Sequence, residues 1–275
     1  MPMHGLIFFT ISHAEKVMTT TQSASMSYTL EGPPEAPVLM FSNSLGTTMS
    51  LWESQARTLR SHYRILRYDT RGHGESPGVT AADSLTLAQL GQDVVDLLDQ
   101  LKLDKVNFCG ISMGGIIGLW LGIYAADRVQ RLVVANSAAK IGSEDGWRSR
   151  AAQIAGHGMD GVADGAAGRW FTPEFIARAP ILVDAMVGDL RHCSPRGYAA
   201  CCMALADADL REEVVRIEAP TLIVAGRHDP VTTVSDARFL QERIADADYL
   251  ELAASHLSNV EASDAFTAGL MKFLA

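Results

Sequence analysis

Short runs of β-branched and apolar residues alternate along this chain with longer stretches in which apolar positions recur every three or four residues. The runs at 38–42, 65–68, 106–109, 132–135, 222–225 and 249–252 read as strands, because they are brief and largely apolar rather than alternating. Strands of that kind are buried on both faces. A less regular first strand is expected around residues 25–30. Amphipathic stretches at 51–59, 85–101, 114–125, 235–244 and 262–274 read as helices. The alternation predicts an α/β fold, a mostly parallel central sheet with helices on both faces.

The alternation breaks once. Residues 138–206 are helical in pattern, rich in Ala and Gly, and hold no convincing strand. An insertion between two strands of such a sheet suggests an inserted helical lid over the carboxyl edge, where ligands bind. The expected organisation is a core formed by residues 18–137 and 207–275, a helical lid at 138–206, and an extension of unassigned role at 1–17.

Composition narrows the function classes. The 275 residues are 48% hydrophobic and 20% charged, ordinary for a globular protein with one large core. Lys and Arg number 23 against 32 Asp and Glu, a net charge of −9, which offers no footprint for nucleic acid or an anionic membrane. The four cysteines, Cys109, Cys193, Cys201 and Cys202, lack C-x-x-C spacing, so reduced thiols and no metal site are expected. The apolar run at 5–11 has no basic residue before it and Glu15 and Lys16 soon after, so a secretory signal is not expected and a cytoplasmic location is. No apolar run approaches the ~20 residues of a membrane span. Oligomeric state leaves no mark in the sequence.

The strongest chemical signal is Gly110-Ile111-Ser112-Met113-Gly114, a G-x-S-x-G sequence between an apolar strand and an apolar helix. A nucleophilic serine on so sharp a turn needs glycine two residues to either side, where side chains would clash. The turn leaves the Met113 N–H at a helix N-terminus, aimed where an oxyanion forms. A serine hydroxyl is a weak nucleophile, so a base and an orienting acid should follow in the order Ser, Asp or Glu, His. Asp229, after the strand at 222–225, and His256, after that at 249–252, meet this order.

Other residues suit these roles less well. His228 neighbours Asp229 and points away from it, and His73 sits in a loop that reads as structural. His157 and His192 fall in the lid, His4 and His13 in the extension, and His62 at a helix end. Asp207 and Asp209 read as helix-opening acids that favour the helix dipole. A second oxyanion donor belongs in the loop after the strand at 38–42, where the Leu45 N–H is the candidate; the same loop also reads as a helix-entry turn capped by Ser44 or Thr47.

These residues carry a family resemblance. The loop at 42–47, the segments at 66–74, 108–115, 169–173, 197–202 and 219–222, and His256-Leu257-Ser258-Asn259 are similar to the α/β-hydrolases, and among them to the 3-oxoadipate enol-lactonases of the aromatic-degrading β-ketoadipate pathway. The resemblance runs from about residue 30 to the C-terminus and does not extend over residues 1–17. It implies Ser112, Asp229 and His256 as the triad, no cofactor, and an anionic five-membered enol-lactone opened by water. Carboxylesterases, perhydrolase-like enzymes and C–C bond hydrolases share the same elbow, and a ligand receptor on this scaffold would lack turnover.

An anionic substrate and a net charge of −9 require a local cation at the site. Trp147 and Arg150, three residues apart and so on one helical face, are the candidate pair to cover the ring and hold the carboxylate, with Arg148 as the alternative cation. A solvated basic face with Trp147 packed on the core accounts for the same pattern.

Overall fold

The computed structural model describes residues 26–79 and 85–275. Its seven strands are β1 (Tyr28–Glu31), β2 (Val38–Ser42), β3 (Arg64–Tyr68), β4 (Val106–Ile111), β5 (Val129–Ala135), β6 (Thr221–Gly226) and β7 (Ala247–Leu252). They form one sheet in the order β1-β3-β2-β4-β5-β6-β7, parallel throughout except for β1, which runs antiparallel to β3. The expected strands lie within β2 to β7. The first begins at Tyr28 rather than near residue 25, and residues 1–25, with the extension at 1–17, lie outside the described residues.

β5 starts three residues before the run seen in the sequence. Val129 pairs with Val106 and Arg131 with Asn107, with a register shift between them, and the exposed Gln130 and half-buried Arg131 separate Val129 from the apolar run, which hid the start of the strand. β7 likewise carries Asp248 and Glu251, because an edge strand is buried only in part.

The helices of the first half are α1 (Glu53–Leu59), α2 (Leu87–Gln100) and α3 (Met113–Tyr124). Between β5 and β6 come α4 (Glu144–His157), α5 (Asp160–Asp164), α6 (Ala166–Trp170), α7 (Pro173–Arg178), α8 (Pro180–His192) and α9 (Pro195–Asp207). The chain ends with α10 (Val234–Arg243), α11 (Ser258–Glu261) and α12 (Ser263–Leu274).

Parallel register puts paired neighbours on one face of the sheet. Met40 pairs with Phe108, whose ring packs against Gly118 of α3; Phe41 pairs with Cys109, on the opposite face. Phe41 stacks on Trp52 with ring centroids 4.6 Å apart, and Trp52 tilts against Phe266 of α12. The sheet is thus covered on both sides. α3 needs no polar face, since ten of its twelve residues are buried.

Helices α4 to α9 leave and rejoin the sheet at one neck. There the Leu210 N–H donates to the Ala139 carbonyl at 2.8 Å, and Lys140 pairs with Asp209 at 3.1 Å. α7 and α9 each open on a Ser or Thr cap followed by proline, Thr172-Pro173 and Ser194-Pro195, which sets the first turn. Asp207 and Asp209 do not open a helix: α9 ends at Asp207. Their charges at this C-terminus are offset instead by Arg148, Lys140 and Arg211.

Candidate active site

All the parallel strands end at one edge, and Leu45, Ser112, Asp229 and His256 follow four of them. β4 delivers Ser112 directly. Its backbone φ of 56° and ψ of −117° lie outside the ordinary regions, a strain of roughly 1–3 kcal/mol held by the structure on both sides. The Ser112 N–H donates to the Ala135 carbonyl at 2.9 Å, tying the turn to β5. The flanking glycines are required by contact. A Cβ on Gly110 would overlap the Gly114 carbonyl, and one on Gly114 would overlap the Ser42 carbonyl.

β6 and β7 are neighbours, and the loops that follow them are zipped together by the Arg227 N–H to Leu252 and the His228 N–H to Ala254 carbonyl bonds, 2.8 and 3.0 Å. This brings Asp229 and His256 face to face. His256 Nδ1 lies 2.8 Å from Asp229 Oδ2, and His256 Nε2 lies 2.9 Å from Ser112 Oγ. All three side chains are buried.

Burial by itself would raise the Asp229 carboxyl, yet the His256 charge and the donors around it hold it below the usual carboxylate range. Those donors are Asn136 Nδ2 and Thr232 Oγ1 on Oδ2, at 3.0 and 2.8 Å, and the Val231 and Thr232 N–H groups on Oδ1, at 2.7 and 3.1 Å. The carboxylate therefore stays ionised and accepts from His256 Nδ1–H, and in the neutral ring that tautomer turns Nε2 as an acceptor toward the serine. Asn136, at φ 42° just past β5, also accepts from Ser258 Oγ through its own side chain. Sequence reasoning did not single out Asn136 or Thr232. The only local signs were the place of Asn136 at the end of β5 and that of Thr232 three residues after Asp229.

Met113 is the first residue of α3, so its N–H has no partner within the helix. The loop after β2 is bolted to this turn by the Gly114 N–H, which donates to the Asn43 carbonyl at 3.0 Å. Leu45 and Ser112 line one cavity of about 340 Å³ together with His256. The loop does form a turn, the Thr47 N–H and hydroxyl both donating to the Ser44 carbonyl at 3.1 and 2.8 Å, but neither Ser44 nor Thr47 caps a helix: the short 3₁₀ helix at Met49–Trp52 has Thr48 at its N-cap, with no side-chain cap bond.

The inserted helices supply Trp147, Arg150, Arg169, Leu190 and Tyr198 to the cavity lining. Trp147 is buried, its indole N–H donates to the Ile141 carbonyl, and the Arg150 guanidinium lies 4.9 Å from its ring centroid. Arg148 is exposed and bound to Glu144 and Asp207, outside the cavity. A residue the sequence reading left without a role, Arg169, lines the cavity too. Burial and then the nearby Arg150 charge lower its pKa, and its guanidinium donates to the Val162 carbonyl. Among the described residues neither arginine forms an ion pair, and no Asp or Glu lines the cavity. The inserted helices also touch the loop of His256, since the Leu257 N–H donates to the Trp170 carbonyl at 3.0 Å.

The rival histidines are elsewhere. His228 is exposed, His157 and His192 close α4 and α8, and His62 lies in the turn after α1. His73 is buried 3.1 Å from the Gly46 N–H. The four cysteines are free, with Cys109, Cys201 and Cys202 buried.

Comparison with known proteins identifies the family. A family model for the alpha/beta hydrolase fold matches residues 37–175. The chain is 46% identical over 247 residues to 3-oxoadipate enol-lactonase 2 of Acinetobacter baylyi, covering 90% of this chain and 92% of that protein. It is 44% identical over 250 residues to 3-oxoadipate enol-lactonase 1 of the same organism, covering 91% and 93%. The crystal structure of the enol-lactonase from Burkholderia xenovorans LB400 superposes with a TM-score of 0.88 at 42% identity, covering 90% of this chain and 96% of that one. An elbow serine, a strand-end histidine and aspartate, and relatives matched along nine-tenths of the chain lead to one conclusion: this protein belongs to the alpha/beta hydrolase family, with 3-oxoadipate enol-lactonases among its near relatives.

Proposed function

We propose that this protein hydrolyses 3-oxoadipate enol-lactone to 3-oxoadipate, a step of the β-ketoadipate pathway, with Ser112 as nucleophile, His256 as base and Asp229 as its orienting acid. The observation that carries this reading is the cavity itself. Its lining combines the serine and histidine in hydrogen-bond contact with Arg150 and Arg169, and contains no carboxylate. The relatives named above are enol-lactonases, and such a substrate is a small anion.

In this reading Ser112 Oγ attacks the lactone carbonyl as His256 Nε2 takes its proton. The Leu45 and Met113 N–H groups hold the resulting oxyanion. Collapse breaks the ring C–O bond, and the proton on His256 passes to the departing enol oxygen. The enol becomes a ketone, so this leaving group is a good one, and oxyanion stabilisation carries more of the barrier than proton transfer. Water activated by His256 then cleaves the acyl-serine ester and yields the second carboxylate. Trp147 covers the ring, and Arg150 with Arg169 pairs with the acetate arm.

The helices α4 to α9 act as the lid of this site, since they supply its cation wall from a single neck. Free cysteines fit a reducing, cytoplasmic setting. No helix among the described residues is long and apolar enough to cross a membrane.

The test is loss of the enol-lactone ultraviolet absorbance, compared with a neutral ester of similar size. Arg150→Ala and Arg169→Met are each expected to raise KM for the lactone roughly 10- to 100-fold, about 1.4–2.8 kcal/mol of charge-assisted hydrogen bonding, and KM for the neutral ester less than about threefold. Equal effects on both substrates would remove the arginines from substrate recognition. Ester turnover with an inert lactone would make the protein a general carboxylesterase.

A further inference from the structure

His73 is buried, carries chemistry, and has no part in the reaction just described. Its ring nitrogen Nε2 accepts the Gly46 N–H at 3.1 Å, while Nδ1 faces the Arg71 carbonyl at 3.4 Å. The backbone donor at Nε2 requires the proton on Nδ1. Burial lowers the ring's pKa to about 4, so it stays neutral and Nε2 stays an acceptor.

What that acceptor holds is a turn. Residues 44–47 close through the Thr47 N–H to Ser44 carbonyl bond, with Gly46 at φ 79° in third place, the arrangement of a type II turn. The central peptide of such a turn, here Leu45 to Gly46, has two orientations that differ by a flip. Only one points the Gly46 N–H at His73. A side chain at Gly46 is blocked by Leu190 and Tyr198, so the turn is seated against α8 and α9 as well.

The Leu45 N–H belongs to the preceding peptide. On its other side Asn43 is fixed twice, by the Gly114 N–H on its carbonyl at 3.0 Å and by its own Nδ2 donating to the Tyr68 carbonyl at 2.7 Å. The proposed oxyanion donor thus hangs between two anchored points, one at Asn43 and one at Gly46.

We infer that His73 is a positioning residue for the oxyanion pocket: by accepting the Gly46 N–H it locks the Leu45–Gly46 peptide and keeps the Leu45 N–H aimed at the acyl oxygen on Ser112. The inference rests on the assignment of Leu45 as an oxyanion donor under the proposed function. Its effect belongs to the transition state, where the charge develops, and not to substrate binding.

The test compares His73→Gln with His73→Asn. A glutamine amide oxygen reaches the place of Nε2, whereas an asparagine oxygen stops near that of Nδ1. In the Asn variant kcat for the enol-lactone is expected to fall roughly 30- to 100-fold with KM changed less than about threefold, and in the Gln variant to stay within about fivefold of wild type. Butylboronic acid, which adds to a serine nucleophile and places an oxygen in the pocket, should bind the Asn variant more weakly in proportion, while 3-oxoadipate binds both alike. Wild-type kcat in the Asn variant, equal losses in both variants, or unchanged boronic acid affinity alongside a loss of kcat would each overturn the inference.

Nitrogen NMR of the wild-type protein tests it without a variant: the His73 ring must be the Nδ1–H tautomer, and an Nε2–H ring overturns the argument. An inert enol-lactone would defeat the substrate reading alone. Boronic acid affinity and 4-nitrophenyl acetate turnover would still decide the role of His73.

Discussion

Ser112→Ala is expected to lower kcat for enol-lactone hydrolysis by roughly 10⁵- to 10⁶-fold, the scale seen when a serine nucleophile is removed from a complete triad. The fold should survive. Ser112 Oγ makes its hydrogen bond to His256 Nε2, and alanine keeps the Cβ that the turn already accommodates at φ 56°. Thermal unfolding should therefore shift by less than about 1 kcal/mol of stability, as for a substitution that leaves no buried group stranded beyond one ring nitrogen. The variant should still bind 3-oxoadipate by calorimetry, because Arg150 and Arg169 are untouched. Residual turnover above a hundredth of wild type would take the nucleophile role from Ser112.

Asp229→Asn is expected to cost about 10⁴ in kcat, the scale for an orienting acid made amide. The reason can be followed atom by atom. The Val231 and Thr232 N–H groups both donate to Oδ1, and these backbone donors cannot reverse. An asparagine must therefore turn its carbonyl oxygen toward them. Its NH₂ then occupies the place of Oδ2, which lies 2.8 Å from His256 Nδ1. Two donors cannot face each other, so His256 would carry its proton on Nε2 and lose the capacity to accept one from Ser112. Steady-state kinetics gives kcat, and nitrogen NMR of the ring gives the tautomer. A Nδ1–H ring in the variant would show that Asp229 does not set the tautomer.

The same carboxylate shows why part of the site was readable and part was not. Ser112 was legible because its signal is local: a strand, a strained turn and a helix must be contiguous, and glycines at 110 and 114 are required by contacts within that turn and with β2. Asp229 and His256 were legible one step further out, as polar residues just beyond strands in the order the chemistry requires. Asn136 was not. Its amide reaches Asp229, Ser255 and Ser258 only because β5 lies between β4 and β6, and no local pattern encodes sheet order.

Arg169 shows the same limit on the inserted helices. Alone it is one arginine at the end of a short helix. It becomes an anion ligand candidate only because α6 and α4 put Arg169 and Arg150 on one cavity with Ser112. His73 is a sharper case. The sequence placed it in a loop read as structural, but gave no sign that its buried ring would accept an N–H from a loop 27 residues earlier in the chain.

The apolar runs and helical periods by themselves determined the layered sheet, because burial of both strand faces and one helix face is written residue by residue. They also determined the elbow and the order of its partners. Only the tertiary structure decided which strands are neighbours, which arginines share a cavity with Ser112, and which side chains fix the direction of each hydrogen bond. The physical reason is reach: periodicity and turn strain act over a few residues, whereas the site is built from contacts such as that of Ser112 with His256, 144 residues apart, which exist only once the sheet has brought the strand ends to one edge.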